Sequence, residues 1–391
     1  MRVKYDVVIV GGSFGGLAVA SQLRGSILII DRKPIGAGQR SACATPLRVP
    51  RALGLEESVL QVHDRALFHL GSYAFELPGT EPFCTFDYEA FCQGLYTQTD
   101  PDFVRASVRA VRVEGSECLI VSSSAGEIST KYVVDGSGWS AVAASTLDSR
   151  FQLGKGLGFG LETTVSHQDE GLHLWLDRGL HPGRLGWLFP CGEHSRVGLA
   201  SYTGDGVKGK RVADFALNFG PGARSLHGGH FPLKLRSPVV GPLFLVGDAA
   251  GQCLPLTAEG IRPAIYFGQQ CGALLQLVLD ETLTLAQAQS TYRRLQHRYR
   301  PNYRWLLWHQ RWTTRLPAAL LAWVMELAKV TGRSERILRR YCAMMPIAPL
   351  DDANTASAPV AVETDLAPAA LEHALRGQGQ GLGPEGMDPW R

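Results

Sequence analysis

The segment that most constrains the fold of this chain is VVIVGGSFGG, Val7 to Gly16, where an apolar strand pattern runs into a glycine turn. A helix pattern, LAVASQLR, follows at once, and a second apolar run, SILIID, ends in Asp31. Strand, glycine turn and helix together aim the free N–H groups of a helix start at an anion, the layout that seats a dinucleotide pyrophosphate. A carboxylate about 20 residues further on, here Asp31 with Arg32 beside it, suits a ribose hydroxyl. Gly11 and Gly16 hold outer positions of the turn, with Ser13 where a GxGxxG pattern has its central glycine and Phe14 next to it. Serine is small enough for the backbone to approach a phosphate, although the same turn alone also serves an ordinary strand-to-helix connection.

About 230 residues later LFLVGDAAGQCLPLTAEGI, Leu243 to Ile261, repeats the theme. An apolar strand delivers Gly247 and Asp248 at its carboxyl end, small residues and Pro255 follow, and Gly260 and Ile261 open another helix. An aspartate there suits a ribityl hydroxyl, and free amides at a helix start suit the electron-rich pyrimidine edge of a reduced flavin. The pair of segments resembles the FAD-binding fold of the para-hydroxybenzoate hydroxylase superfamily. Within it, GDAAG followed by PLTAEGI is most similar to the geranylgeranyl reductase family.

A second resemblance agrees. GWLFPCGEHSRVGLA, Gly186 to Ala200, is similar to the substrate-cavity motif YxWxFPx7GxG of those reductases: Trp187, Phe189, Pro190 and Gly198 match, while Leu185 and Ala200 depart from it. The resemblance implies that Trp187 and Phe189 edge a pocket for an oily chain. It also places Arg40 and Cys43 beside the flavin, with Cys43 the candidate proton donor, and Val108 at the adenine. It implies an α/β (α+β) chain whose discontinuous Rossmann-like FAD-binding domain is joined to an antiparallel-sheet substrate domain and C-terminal helices. The implied reaction is saturation of carbon–carbon double bonds in an isoprenoid by hydride from reduced FAD, with NAD(P)H or reduced ferredoxin as electron donor. KYVVDGSGWSAV, Lys131 to Val142, keeps an alternative open, because its DG turn also resembles the form found in flavin-dependent halogenases. An FAD-dependent monooxygenase or halogenase acting on a hydrophobic small molecule is that alternative.

Domain limits follow from the motifs and from short alternating runs such as GFGLETTVS and RVGLASYT. The FAD domain is expected at 1–65, 85–150 and 236–290, the substrate domain at 66–84 and 151–235, and a helical region at 291–349. Asp87 is expected to cap a helix. From 350 to 391 the Ala, Pro and Gly content is too high to offset ordering entropy, which predicts a disordered tail with a short helix at LAPAALEHALR. A composition of 45% hydrophobic and 19% charged residues is that of a globular protein, and the net charge of +3 says little about partners. Eight cysteines without a CxxC pair argue against zinc and a disulfide framework, so no metal is expected and a cytoplasmic location is. His181 and His194 flank the cavity motif as weaker proton-donor candidates. Oligomeric state is not legible.

Thr282 to Met325 contains no acidic residue, while seven arginines from Arg293 to Arg315 alternate with tyrosines and tryptophans. Trp305, Trp308, Trp312 and Leu316 fall at helical spacing, giving an apolar face opposite a basic one. Packing on the substrate domain and contact with a membrane surface through residues 293–325 both fit this pattern. Nothing else in the chain resembles a nucleic-acid module, so no nucleic-acid partner is expected.

Overall fold

The computed structural model describes residues 5–350 apart from 100, 115–117, 153–155, 177–183, 204–205, 221–224 and 314. The expected tail after Leu350 lies outside the described residues, as does His181.

In chain order the first half comprises β1 (Tyr5–Val10), α1 (Phe14–Ala20), β2 (Ile27–Asp31), β3 (Ala44–Pro46), α2 (Arg48–Ala52), β4 (Val59–Leu70), β5 (Tyr73–Phe86), α3 (Tyr88–Thr97), β6 (Asp102–Arg105), β7 (Val108–Glu114), β8 (Cys118–Ser123), β9 (Gly126–Asp135) and α4 (Val142–Leu147). The second half adds β10 (Leu157–Val165), β11 (Leu172–Trp175), β12 (Arg184–Pro190), β13 (Ser195–Ser201), α5 (Gly209–Ala216), β14 (His227–Pro232), β15 (Val239–Val240), β16 (Leu243–Leu245), α6 (Ile261–Leu279), α7 (Leu285–Thr313), α8 (Ala318–Val330) and α9 (Arg333–Ala343).

Two sheets organise these elements. The first runs β15-β16-β9-β1-β2-β6, parallel from β16 to β6, with β7 and β8 folded against β9 as an antiparallel flap. Its central strands are continuous apolar runs because helices or the flap cover both faces. Val7, Ile9, Ile27 and Ile29 pack in one core with α1 and α6, while Val8, Val10, Leu28 and Ile30 pack in the other with α4. The backbones of α1 and α6 meet closely: a Cβ on Gly268 would lie 2.6 Å from Gly15 O, and one on Gly272 would lie 2.5 Å from Val19 O.

The second sheet runs β14-β10-β13-β12-β11-β4-β5-β3. It is antiparallel except where β4 and β11 pair in parallel, Leu67 opposite His173. It takes in 44–46 and 59–86, where the sequence patterns place its first segment at 66–84. The reason is that β4 and β5 pair as one long bulged hairpin from Val59 to Phe86. Asp87 caps α3, its Oδ1 accepting from Ala90 N at 2.8 Å.

Among the described residues three helices follow α6. Pro301 lies inside the 29-residue α7. Its missing bond to the His297 carbonyl falls on an exposed side of the helix, where that carbonyl is open to solvent. The helix ends at Thr313, so Leu316, expected on its apolar face, lies beyond it. None of the described helices is long and apolar enough to cross a membrane.

Candidate functional site

A cavity of about 1150 Å³ extends from the β1–α1 turn, past the end of β16, to the second sheet and the last three helices. At one end are Gly11, Ser13, Phe14, Asp31, Arg32 and Val108. Gly11 holds φ +110°, and a Cβ on it would lie 2.3 Å from Gly136 O, so the glycine is required by both conformation and space. Asp31 fixes the turn that it faces: Oδ2 accepts from Gly12 N at 2.8 Å and Oδ1 from Lys33 N at 2.9 Å. Each oxygen keeps a lone pair for a hydroxyl. Ser13 precedes α1 without capping it, because its hydroxyl pairs with Tyr88 OH at 3.0 Å instead. The Phe14 ring makes edge contacts with Phe86, Tyr88 and Phe91.

The other nucleotide segment closes the same cavity. Gly247 donates its N–H to Gln252 Oε1 at 2.7 Å, and the Gln252 amide is held by Tyr292 and Gln296. Asp248, next in line, receives no side-chain hydrogen bond from the described residues, and burial raises its pKa to about 6 against the opposing pull of Arg236. Gly260 and Ile261 begin α6 with no side-chain cap. Pro255 is buried behind this loop and does not line the cavity, although it was expected among the cofactor contacts.

Two uncapped helix starts and an unpartnered carboxylate thus converge on one cavity. An anionic diphosphate suits the first helix start, a hydroxyl suits Asp248, and a carbonyl edge suits the second helix start. The residues therefore fit FAD. Asp135, in the DG turn, faces inward: it accepts from Ser137 N, Ser137 Oγ and Ala144 N and so anchors α4.

At the second sheet Trp187 and Phe189 line the cavity with their rings 6.5 Å apart. A Cβ on Gly198 would lie 2.1 Å from the indole, which accounts for glycine at that motif position. The indole Nε1 donates to Glu162 Oε2 at 2.6 Å, and His227 Nε2 pairs with Glu162 Oε1 at 3.0 Å. Glu162 is buried and lines the cavity, yet an isolated glutamate in a strand pattern carries no signal of this in sequence. Cys43 also lines the cavity, fully buried at φ +51°, with Sγ donating to Ser41 O at 3.3 Å. Burial pushes this thiol well above its ordinary value. Arg40 is exposed at the rim, and His194 lies in the β12–β13 turn away from the lining.

A latch between α6 and α9 was also illegible in the sequence. Arg262, on the first turn of α6, donates to Glu259 through Nε at 3.0 Å and Nη2 at 2.9 Å. Its Nη1 donates to the carbonyls of Tyr341, Cys342 and Met344, tying the end of α9 to the start of α6.

Asp248 gives a pH prediction. Its folded pKa of about 6 lies above the ordinary carboxylate value, so this site favours the protonated form. The stability it contributes to the cofactor-free protein is present below about pH 4 and is lost as pH rises through about 6. Asp248→Asn should therefore unfold later than the parent at pH 7, by no more than about 3 kcal/mol, with the gap closing towards pH 4. Thermal unfolding of both proteins across that range measures it, and a gap independent of pH would refute it.

No protein-family profile matches the chain. It is 26% identical over 337 residues to a digeranylgeranylglycerophospholipid reductase of Methanopyrus kandleri, covering 74% of this chain and 81% of that protein. Among solved structures it is similar to a geranylgeranyl bacteriochlorophyll reductase-like protein from Thermoplasma acidophilum, with a TM-score of 0.75 at 18% identity over 95% of this chain and 99% of that one. It is also similar to a flavin-dependent brominase, with a TM-score of 0.68 at 13% identity over 96% and 100% of the two chains. At such identities the structural likenesses speak for the fold.

Proposed function

We propose, from the premise that the chain belongs to the geranylgeranyl reductase family of FAD-dependent oxidoreductases, that it reduces carbon–carbon double bonds of an isoprenoid chain. The observation that carries this reading is a cavity with polar helix starts at one end and an apolar wall of Leu174, Leu185, Trp187 and Phe189 at the other. Such a wall binds a long hydrocarbon by area and excludes water from the reacting carbons.

When bound, FAD supplies hydride to one carbon of the double bond, and NAD(P)H or a reduced ferredoxin replenishes it. Gly11, Ser13 and Phe14 hold the diphosphate through the turn, with Gly16, behind the lining, letting α1 close on Gly11, and with Asp31, Arg32 and Val108 around the adenosine half. Gly247, Asp248, Gly260 and Ile261 hold the ribityl and pyrimidine side, with Pro255 setting the loop behind them. Trp187, kept rigid by Glu162, and Phe189 orient the chain. Arg40 balances charge at the rim. Cys43 is the proposed proton donor: burial keeps the proton on sulfur through neutral pH, the form a donor needs, at the expense of acid strength.

The test uses FAD-loaded protein reduced without oxygen and mixed with a geranylgeranyl lipid. Flavin absorbance should return, and each bond reduced should add one H2 to the product mass. The oxygen-using alternative draws on the likeness in fold to the brominase. Return of absorbance only on admitting oxygen would reject the reductase reading in its favour.

A further inference from the structure

The helix α8 presents two apolar faces. Leu321, Met325 and Ala328 line the cavity, whereas Leu320, Trp323, Leu327 and Val330 point to solvent, with Trp323 62% and Val330 78% exposed. Val324 and Ile337 belong to both settings, lining the cavity while each is 41% exposed, so the cavity reaches the surface between α8 and α9. Trp308 and Trp312, their rings tilted and 5.8 Å apart near the end of α7, are also exposed. Soluble proteins rarely leave such a contiguous apolar surface open unless it meets a partner.

Charge narrows the partner. Residues 301–343 carry eight Arg or Lys against two Glu. Arg304, Arg315, Lys329, Arg333 and Arg336 are exposed around the apolar face. Tryptophans and aliphatics surrounded by cations form the pattern of a helix lying in the headgroup region of an anionic bilayer. At 13 residues α8 suits lying in that plane and cannot cross it.

We propose that the outer face of α8, together with the Trp308–Trp312 end of α7, docks on an anionic lipid bilayer and sets the opening between α8 and α9 against it. An isoprenoid lipid then passes from the bilayer into the cavity without its chain crossing water. What passes through the opening rests on the isoprenoid reading, but the docking does not.

The test sediments the full-length, FAD-loaded chain with vesicles of phosphatidylcholine alone or mixed with phosphatidylglycerol. Binding should be stronger to the mixed vesicles and fall with salt. The double variant Trp323→Ser/Val330→Ser touches no cavity-lining residue. It should lose roughly tenfold or more in binding while keeping parental flavin content and melting point. Arg315→Glu/Arg336→Glu should lose roughly fivefold per altered residue from the salt-sensitive part. Failure of the parent to sediment with anionic vesicles would overturn the proposal, as would parental binding by the serine variant. So would a parent that is dimeric in solution and becomes monomeric in that variant, because the face then serves a second copy. Reoxidation of the reduced protein by soluble geranylgeranyl diphosphate, without vesicles, reports on the reductase reading separately. Its failure alongside intact vesicle binding would remove that reading and leave the docking face standing.

Discussion

Gly16→Val should yield a chain that retains no FAD and loses about 3 kcal/mol or more of folding stability. A Cβ at this position would lie 1.9 Å from Gly11 O and 3.1 Å from Ile9 Cγ2. The first obstacle is backbone, so no rotamer change relieves it. Moving Gly11 is also costly, because its own N–H is bonded to Ile30 O at 2.8 Å and it packs against Gly136. The turn must open, and it is this turn that aims the α1 amides at the cavity. Urea unfolding and the ratio of flavin to protein absorbance measure the two effects. Parental values for both would show that the close approach of α1 to β1 is not what the glycine provides.

The second large effect is expected from Arg262→Met. The substitution leaves the Glu259 carboxylate beneath α9 with the Tyr341 hydroxyl but no cation, and deprives three carbonyls of their shared donor. Removing one partner of a buried ion pair costs about 3–5 kcal/mol, chiefly because the remaining charge is left uncompensated. Changing both residues, Arg262→Met with Glu259→Leu, should recover part of that loss, although Met344 O stays without its donor while Cys342 O keeps Arg48 and Tyr341 O keeps the Met344 N–H. Limited proteolysis should cut the single variant first near α9, whose Ser334, Leu338 and Tyr341 wall the cavity. A loss under about 1 kcal/mol would mean that apolar contacts alone hold α9 in place.

The nucleotide half was legible because its signals are local. Val7 to Val10 and Ile27 to Ile30 are apolar runs with both faces covered, and the glycines that follow β1 are there for backbone proximity. Trp187 and Phe189 were found through their motif, and both face the cavity. The less legible features depend on partners distant in sequence. Glu162 matters because Trp187 and His227 meet it, and Arg262 because the end of α9, about 80 residues on, returns to it. The sequence reading placed 66–84 in the second sheet, but the long bulged hairpin of β4 and β5 and its parallel joint to β11 extend that sheet to 59–86. The aromatic–arginine segment was visible as amphipathic, yet α7 divides it: Trp305 lines the cavity while Trp308 and Trp312 face solvent.

During synthesis α1 leaves the ribosome roughly 250 residues ahead of α6, a delay of roughly 10–50 s at ordinary elongation rates. The glycine seam between the two helices admits nothing bulkier than bare backbone, so no earlier segment with side chains can stand in for Gly268 and Gly272. Until α6 arrives, Leu17, Ala18 and the Ile9 side of the sheet have no cover from it. The nascent chain therefore carries an exposed apolar face through most of its translation, the condition that recruits chaperones and penalises fragments ending before Ile261. Late closure of this seam makes the N-terminal half a poor independent folding unit, despite its recognisable nucleotide-binding pattern.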